Sequence, residues 1–322
     1  MITQEQAAWF AETFSKLATN VEQAVMGKRH VVELALACML SDGHLLLEDV
    51  PGTGKTSLAK AMANTVKGSQ NRIQFTPDLL PSDVTGVTIY NQSNNEFEFH
   101  RGPIFSTIVL ADEINRASPK TQAALLEVME EGKVTVDGVG HEVGDPFMVI
   151  ATQNPIEQAG TYRLPEAQLD RFLIKTSLGY PDHETAVALL ADAANRNRAS
   201  RVPAMITSKA IGEMALLASS VNVDRSLLSY VNRIAEETRR SPDVKLGVSM
   251  RGSLSMIRMA KTWAASRGRT FVIPDDIKEL SLPVFRHRVL LAPEAEFAHL
   301  TAEQVIAKAL ADVPPPTQRG VQ

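Results

Sequence analysis

Residues 44–66 read HLLLEDVPGTGKTSLAKAMANTV. A short apolar run, a glycine-rich turn and an amphipathic stretch follow one another directly, the order of a strand, a loop and a helix. In the middle, DVPGTGKTS at 49–57 puts Gly52 and Gly54 where backbone N–H groups can close around phosphate oxygens without a side chain in the way. Lys55 then reaches the β- and γ-phosphates of a nucleotide, and the Thr56 hydroxyl is a ligand for Mg²⁺. The helix that begins at this loop turns its positive end toward the same anion. Pro51, Gly52, Thr53, Gly54, Lys55, Thr56 and Ser57 form the expected cradle for ATP. The full pattern opens with a glycine where this chain has Asp49, while the Gly-x-Gly-Lys-Thr heart is intact.

Further along, TIVLADEIN at 107–115 carries a buried strand to Asp112 and Glu113 at its carboxyl end, where ligands sit in open α/β sheets. Asp112 is placed to hold Mg²⁺, largely through water. Glu113 is placed to orient and deprotonate an attacking water. An acidic pair at a strand end also serves as a helix N-cap; beside a phosphate loop, the pair reads as catalytic. A kinase needs an acceptor substrate, whereas this pair points to hydrolysis. FMVIATQNP at 147–155 is another buried strand with polar residues at its end, and Asn154 there can reach the γ-phosphate or the water. A loop Asn before Pro is also an ordinary turn former.

HLLLED, RIQF, TIVLADE and FMVIATQN each read as buried strands, because parallel strands covered on both faces are continuous apolar runs. Between them TSLAKAMANTV and SPKTQAALLEVMEEG repeat apolar residues three and four apart. Ser118-Pro119 makes a helix start and Gly132 a stop. This alternation predicts an α/β fold with a parallel sheet sandwiched by helices, over residues 1–180. The segments VTIYNQSNNEFEFHR, near 86–101, and GKVTVDGVGHEVGDPF, near 133–146, read as hairpins inserted in that layer. They are either decorative loops or elements that engage a client or a neighbouring subunit. After Gly179-Tyr180-Pro181-Asp182 the pattern changes to amphipathic helices, predicting a smaller all-α lid over 181–312. The proline-rich end, 313–322, reads as a flexible tail.

The 322 residues are 44% hydrophobic and 22% charged, suited to a globular chain of two domains. Aromatics are only 5%, so the core rests on aliphatic side chains and Met. The single cysteine, Cys38, sits in an apolar run and reads as a core residue. The first twenty residues lack the pattern of a signal peptide, and no stretch of about 18 apolar residues occurs; with the cysteine usage, this leads us to expect a cytoplasmic protein. Net charge is −4, but residues 1–180 hold 14 Lys/Arg against 22 Asp/Glu, and residues 181–322 hold 19 against 15. The asymmetry is compatible with a nucleic-acid surface, with acidic and basic faces of adjacent subunits meeting, or with ordinary solvated faces.

GTGKT, LADEINRASPKTQAALLEVMEEG, ATQNP and LPEAQLDRF, in that order, resemble the MoxR family of AAA+ ATPases. The likeness extends from about Met26-Gly27 to SMRGSLSMIRMAKTWAASRGRTFVIPDDI at 249–277. It implies an AAA+ P-loop NTPase core with a helical lid, in which Lys55 and Thr56 belong to Walker A and Asp112 and Glu113 to Walker B. Asn154 resembles sensor 1 and Arg171, in LDRF, the arginine finger offered to the neighbour's ATP. Arg251, in SMRGS, resembles sensor 2, a catalytic and nucleotide-binding residue. Val25, Met26 and Gly27 resemble the strip against the adenine. A guanidinium suits the charge spread over the γ-phosphoryl transition state. Arg163 competes with Arg171 for the finger's role. The two hairpins match the helix-2 insert and the second insert of this clade.

The resemblance also implies a homo-oligomer, typically a hexameric ring, that hydrolyses Mg-ATP to remodel or mature protein clients, including by metal insertion. A partner carrying a von Willebrand factor A (VWA) domain is implied as well. Two other motors on the same fold are alternatives: one acting on nucleic acid and a chelatase-type subunit. The first predicts basic, aromatic inserts, and the 86–101 segment, with Phe97 and Phe99, is not markedly basic. A non-hydrolysing switch has no use for Glu113. The seven histidines show no metal-ligand spacing, and His287 reads as a helix-face residue, so no metal is expected beyond the Mg²⁺ of the nucleotide.

Overall fold

A computed structural model describes residues 1–50, 52–154, 162–191 and 198–316. Two helices, α1 (Gln4–Glu22) and α2 (Arg29–Leu40), lead into β1 (Leu45–Glu48), α3 (Lys55–Thr65) and β2 (Gln70–Gln74). A short α4 (Pro81–Thr85) carries the hairpin β3 (Gly86–Asn91) and β4 (Glu96–Arg101), followed by β5 (Ile108–Asp112) and α5 (Pro119–Glu131). The second hairpin, β6 (Lys133–Val136) and β7 (Val139–Glu142), precedes β8 (Met148–Gln153), α6 (Glu166–Leu169) and β9 (Ile174–Thr176).

The five strands β2-β5-β8-β1-β9 form one parallel sheet, with Leu45 opposite both Ile150 and Ile174. The apolar runs explain the three central strands: β5 is buried throughout, as are Leu45–Leu47 of β1 and Met148–Thr152 of β8. Alternate residues serve two cores. Leu45, Leu47, Ile108, Leu110, Met148 and Ile150 pack with the first three helices and the later helical region, while Leu46, Val109, Ala111, Val149 and Ala151 pack toward α5. β9 has no counterpart among the strands read from sequence. It is three residues long, lies at the sheet edge, and buries only Ile174.

Helix α5 starts and stops where its end residues dictate. Ser118 accepts the Thr121 N–H and Gly132 closes the helix with φ +66°, a cap worth about 1 kcal/mol at the N-terminus. The paired registers Val87↔His100 and Val134↔His141 establish both hairpins. The hairpins touch each other, Phe99 stacking on His141 with ring centroids 4.2 Å apart. At the tip of the first, Tyr90 and Phe97 form an exposed cross-strand pair.

Beyond β9 the chain is helical: α7 (His183–Ala191), α8 (Arg198–Arg201), α9 (Ser208–Ser219) and α10 (Arg225–Arg240). Then come β10 (Val244–Leu246), α11 (Met250–Ser266), α12 (Pro274–Phe285), β11 (Leu290–Leu291), α13 (Pro293–Phe297) and α14 (Ala302–Asp312). Two short antiparallel strands, β10 and β11, are an addition to the helical pattern read from the sequence. Arg288 joins this lid to the sheet. It is 5% exposed, and its Nε donates to Asp170 Oδ1 at 2.6 Å while its Nη2 donates to Phe172 O at 2.6 Å. His287, expected on a helix face, is instead buried in a 3₁₀ turn with its Nε2 on the same Phe172 carbonyl. Cys38 is buried, and burial pushes its thiol pKa far up. No helix among the described residues is long and apolar enough to cross a membrane.

Candidate functional site

Because all five strands run the same way, the loops at their carboxyl ends gather on one edge. The order also reverses beside β1, whose neighbours β8 and β9 both come much later in the chain. The phosphate loop leaves β1 at this switch point. Gly52 and Gly54 adopt φ of +85° and +97°, in the left-handed region that other residues enter only at a cost. Gly54 occupies the N-cap position of α3 and provides no side-chain cap, so the first N–H groups of the helix remain available to an anion. Lys55 Nζ rests on the carbonyls of Asp49 (3.3 Å) and Val50 (3.5 Å). Thr56 is exposed at the same helix start. Thr53 and Ser57 flank this core of the loop, and Pro51 lies outside the described residues.

Val25 touches the loop: a β-carbon at Gly54 would lie 3.6 Å from Val25 Cγ1. Gly27, with φ +69°, packs so closely on α7 that a β-carbon there would meet Thr185 Oγ1 at 2.9 Å. Met26 Sδ accepts from Arg198 Nη1 at 3.0 Å. The strip read from sequence as adenine-facing therefore lies between the phosphate loop and the first helix of the lid.

Asp112 ends β5, opposite Gln74 of β2. With β8 between them, strands β5 and β1 run about 10 Å apart across the sheet, and Asp112 shares their carboxyl edge with the loop. Arg72 Nη2 and Nε reach Asp112 Oδ2 at 2.7 and 3.1 Å, and Thr152 Oγ1 donates to Oδ1 at 2.6 Å. The next residue, Glu113, is held at φ +57°, ψ +49°, a left-handed backbone that costs on the order of 1–3 kcal/mol for a residue other than glycine. Its N–H donates to Thr152 Oγ1 (2.9 Å), and its Oε2 accepts from Gln74 Nε2 (2.8 Å) and Arg116 Nη1 (2.9 Å). Glu113 does stand at the N-cap of the 3₁₀ turn Ile114–Arg116, yet its side chain makes no cap bond. Asn154, directly after β8, is buried on the same edge.

Four partners of the acidic pair were not read from the sequence: Arg72, Gln74, Arg116 and Thr152. Arg72 and Gln74 lie on the edge strand and look like exposed alternating residues, RIQF giving no hint that two side chains lean over β5. Thr152 carried a weak signal as a polar residue inside the apolar run of β8.

Arg171 and Arg251 do not join this group. Arg171 lies just before β9, close to the Leu173 N–H that donates to His44 O ahead of β1, so it sits at the amino edge of the sheet. Its Nη2 is 2.8 Å from Glu130 Oε2, and Arg251 Nη2 is 2.5 Å from Glu130 Oε1. One carboxylate at the end of α5 thus holds both guanidiniums. The strand separates that edge from the phosphate loop by about 13 Å or more. Asp170, beside Arg171, pairs with Arg288 and not with its neighbour. Arg163 is exposed ahead of α6. A cleft of about 750 Å³, lined by Glu130, His44, Ile257, Arg258 and Lys261, opens at the same amino edge, away from the phosphate loop.

Residues 44–174 match the ATPase family associated with various cellular activities (AAA), and residues 236–309 match the AAA lid domain. Chaperone MoxR1 of Mycobacterium tuberculosis is 39% identical over 322 residues, covering 96% of this chain and 84% of that protein. This chain belongs to the MoxR family of AAA+ ATPases. Protein MoxR of Paracoccus denitrificans is 29% identical over 313 residues, with 89% and 91% of the two chains covered. YeaC of Bacillus subtilis, uncharacterized, is 47% identical over 304 residues, 94% and 95% of the two chains. A crystal structure from Cytophaga hutchinsonii superposes with a TM-score of 0.90 at 36% identity, over 97% of this chain and 98% of that one. As a member of the family, the chain is an ATPase built on an α/β core with a helical lid, and nucleotide binding follows from that membership.

Proposed function

We propose that this ATPase works as a homo-oligomeric ring, with a chaperone-type action on protein clients. The observation that carries the ring is the placement of Arg171 and Arg251 on Glu130, at the edge opposite the phosphate loop of their own chain. A second copy set head to tail brings that edge to the first copy's nucleotide, an arrangement that closes as a ring. Arg171 is then the finger, and Arg251 reaches the same neighbouring γ-phosphate. Glu130 keeps both paired until assembly.

Within one chain, the loop from Gly52 to Ser57 holds the phosphates, Lys55 moves from its carbonyl partners to the β- and γ-oxygens, and Val25–Gly27 receive the adenine. Thr56 and Asp112 offer a hydroxyl and a carboxylate, hard oxygen donors suited to Mg²⁺ with phosphate and water as its other ligands. Magnesium, once bound, neutralises charge on the β- and γ-phosphates. Arg72 compensates Asp112 meanwhile. Glu113, released from Gln74 and Arg116, takes the proton of the attacking water, and Asn154 orients that water.

The chaperone reading is supported by the relative named as a chaperone, MoxR1. The client, the VWA-domain partner, metal insertion as the kind of maturation and a cytoplasmic location belong to the same proposal. The exposed Tyr90–Phe97 pair, flanked by Glu96 and Glu98 on its hairpin, suits a protein client better than a phosphate backbone, since acidic groups repel the latter. The test is a Glu113→Gln trap loaded with Mg-ATP, with its co-purifying partners identified by mass spectrometry. ATP-dependent recovery of a VWA protein or a maturing enzyme supports the reading. Recovery of nucleic acid in its place overturns it.

A further inference from the structure

Asp49 stands where a phosphate loop ordinarily opens with glycine, and its side chain is turned to the chain that leaves the sheet. Oδ2 accepts the Leu178 N–H at 2.6 Å and Oδ1 the Gly179 N–H at 2.9 Å. These two donors belong to the strap between β9 and α7, the connection from core to lid. The residue is 5% exposed, so loss of the carboxylate would leave both N–H groups short of a partner in a nearly dry place. Its main chain is engaged as well. The Asp49 N–H donates to Gln153 O at 3.2 Å, next to Asn154, and its carbonyl accepts Lys55 Nζ at 3.3 Å.

The strap is tied again on its far side. Lys28 Nζ donates to Tyr180 O at 2.7 Å, and Thr185 packs on Gly27. One residue at the loop entrance therefore connects Lys55, the end of β8 and the root of the lid. A glycine here would offer the strap no acceptor, whereas the two oxygens of the Asp49 carboxylate take two successive strap amides.

We propose that Asp49 is a positioning residue that makes the lid follow the state of the phosphate loop. When phosphates draw Lys55 away, the carbonyls of Asp49 and Val50 lose their cation and this end of the loop re-seats. The carboxylate carries Leu178 and Gly179 with it, and α7 follows. Linkage is reciprocal, so the position of the lid also sets how tightly the loop holds nucleotide. The inference rests on nucleotide binding at residues 52–57.

The experiment is amide hydrogen exchange on the full chain, with and without Mg-AMP-PNP, for wild type, Asp49→Gly and Asp49→Asn. In wild type, nucleotide slows exchange at Lys55–Leu58 and also at Leu178–Gly179. In Asp49→Gly the loop amides keep their response, while the strap amides exchange on the order of tenfold faster or more and no longer respond. Asp49→Asn, which retains one carbonyl oxygen, falls between the two. Wild-type exchange and nucleotide response at the strap in Asp49→Gly overturn the proposal. So does a wild-type strap that ignores nucleotide while the loop is protected, a result that requires no variant to fold. Absence of loop protection in wild type removes the nucleotide-site reading, and this inference with it.

Discussion

Gln74 Nε2 donates to Glu113 Oε2 at 2.8 Å, so the carboxylate at the end of β5 is held by an amide at the end of the neighbouring strand β2. The same oxygen accepts from Arg116 Nη1 at 2.9 Å, so one oxygen of the proposed base is engaged before any water arrives. Glu113 also sits on a left-handed backbone, which fixes its direction. In the proposed mechanism, the pair holds Glu113 back as general base until nucleotide and neighbour rearrange the edge.

Gln74→Ala removes that hold. A hydrogen bond to a charged, partly exposed group is worth about 1 kcal/mol here, so basal ATP turnover should rise by roughly fivefold with nucleotide affinity unchanged. Steady-state hydrolysis together with a fluorescent-nucleotide titration checks both. Unchanged or reduced turnover would mean that Gln74 is a support and not a brake.

Much of this site was legible because chemistry forces it into sequence-local motifs. A phosphate cradle requires glycines, a lysine and a hydroxyl in one loop, and a buried strand announces Asp112 and Glu113 by the four apolar residues before them. What escaped is contact between segments distant in sequence. Gln74 and Arg72 lie about 40 positions from the acidic pair they touch, on a strand too exposed to read as more than an edge. β9 escaped because three residues at a sheet edge leave hardly any apolar signature. That Glu130 gathers Arg171 and Arg251 depends on how the lid meets α5, which no local pattern encodes.

The junction of core and lid rests on a buried charge. Arg288 is enclosed with Asp170, which also accepts the Ser249 hydroxyl at 2.8 Å. Asp170→Ala leaves that guanidinium without its counter-ion and should destabilise the fold by about 3–5 kcal/mol, whereas Asp170→Asn, which keeps an acceptor, should cost less. Denaturant midpoints of the two variants measure this; equal and small losses would show that the carbonyls around Arg288 suffice.

Stability should also fall in mild acid. His44 accepts the Val149 N–H at Nδ1 (3.0 Å) and donates from Nε2 to Met129 O (2.9 Å), which requires the neutral ring. Burial lowers its pKa, and burial together with the Arg288 charge lowers that of His287 further. The folded-state values lie below the unfolded value of about 6.5, so the unfolded chain gains protons first as the pH drops. The stability from each histidine is complete above that value and is lost below it, by up to about 1.4 kcal/mol per pH unit. Urea midpoints between pH 7.5 and 5 should show the decline, and His44→Gln, whose amide offers the same acceptor and donor, should make it shallower, leaving the part due to His287. A pH-independent midpoint would contradict the neutral-ring account.

A ring with arginines acting across subunits is tested by mixing two dead proteins. Arg171→Ala keeps its own base and phosphate loop, and Glu113→Gln keeps its arginine; each alone should lose about a thousandfold in turnover while still binding ATP. ATP hydrolysis is measured as the two are combined in varying ratio. Turnover that rises well above either parent and peaks near equal amounts places an intact arginine edge against a neighbour's intact base, as the account predicts. Mixtures no more active than the sum of their parts, under conditions where the two proteins co-assemble, would contradict it.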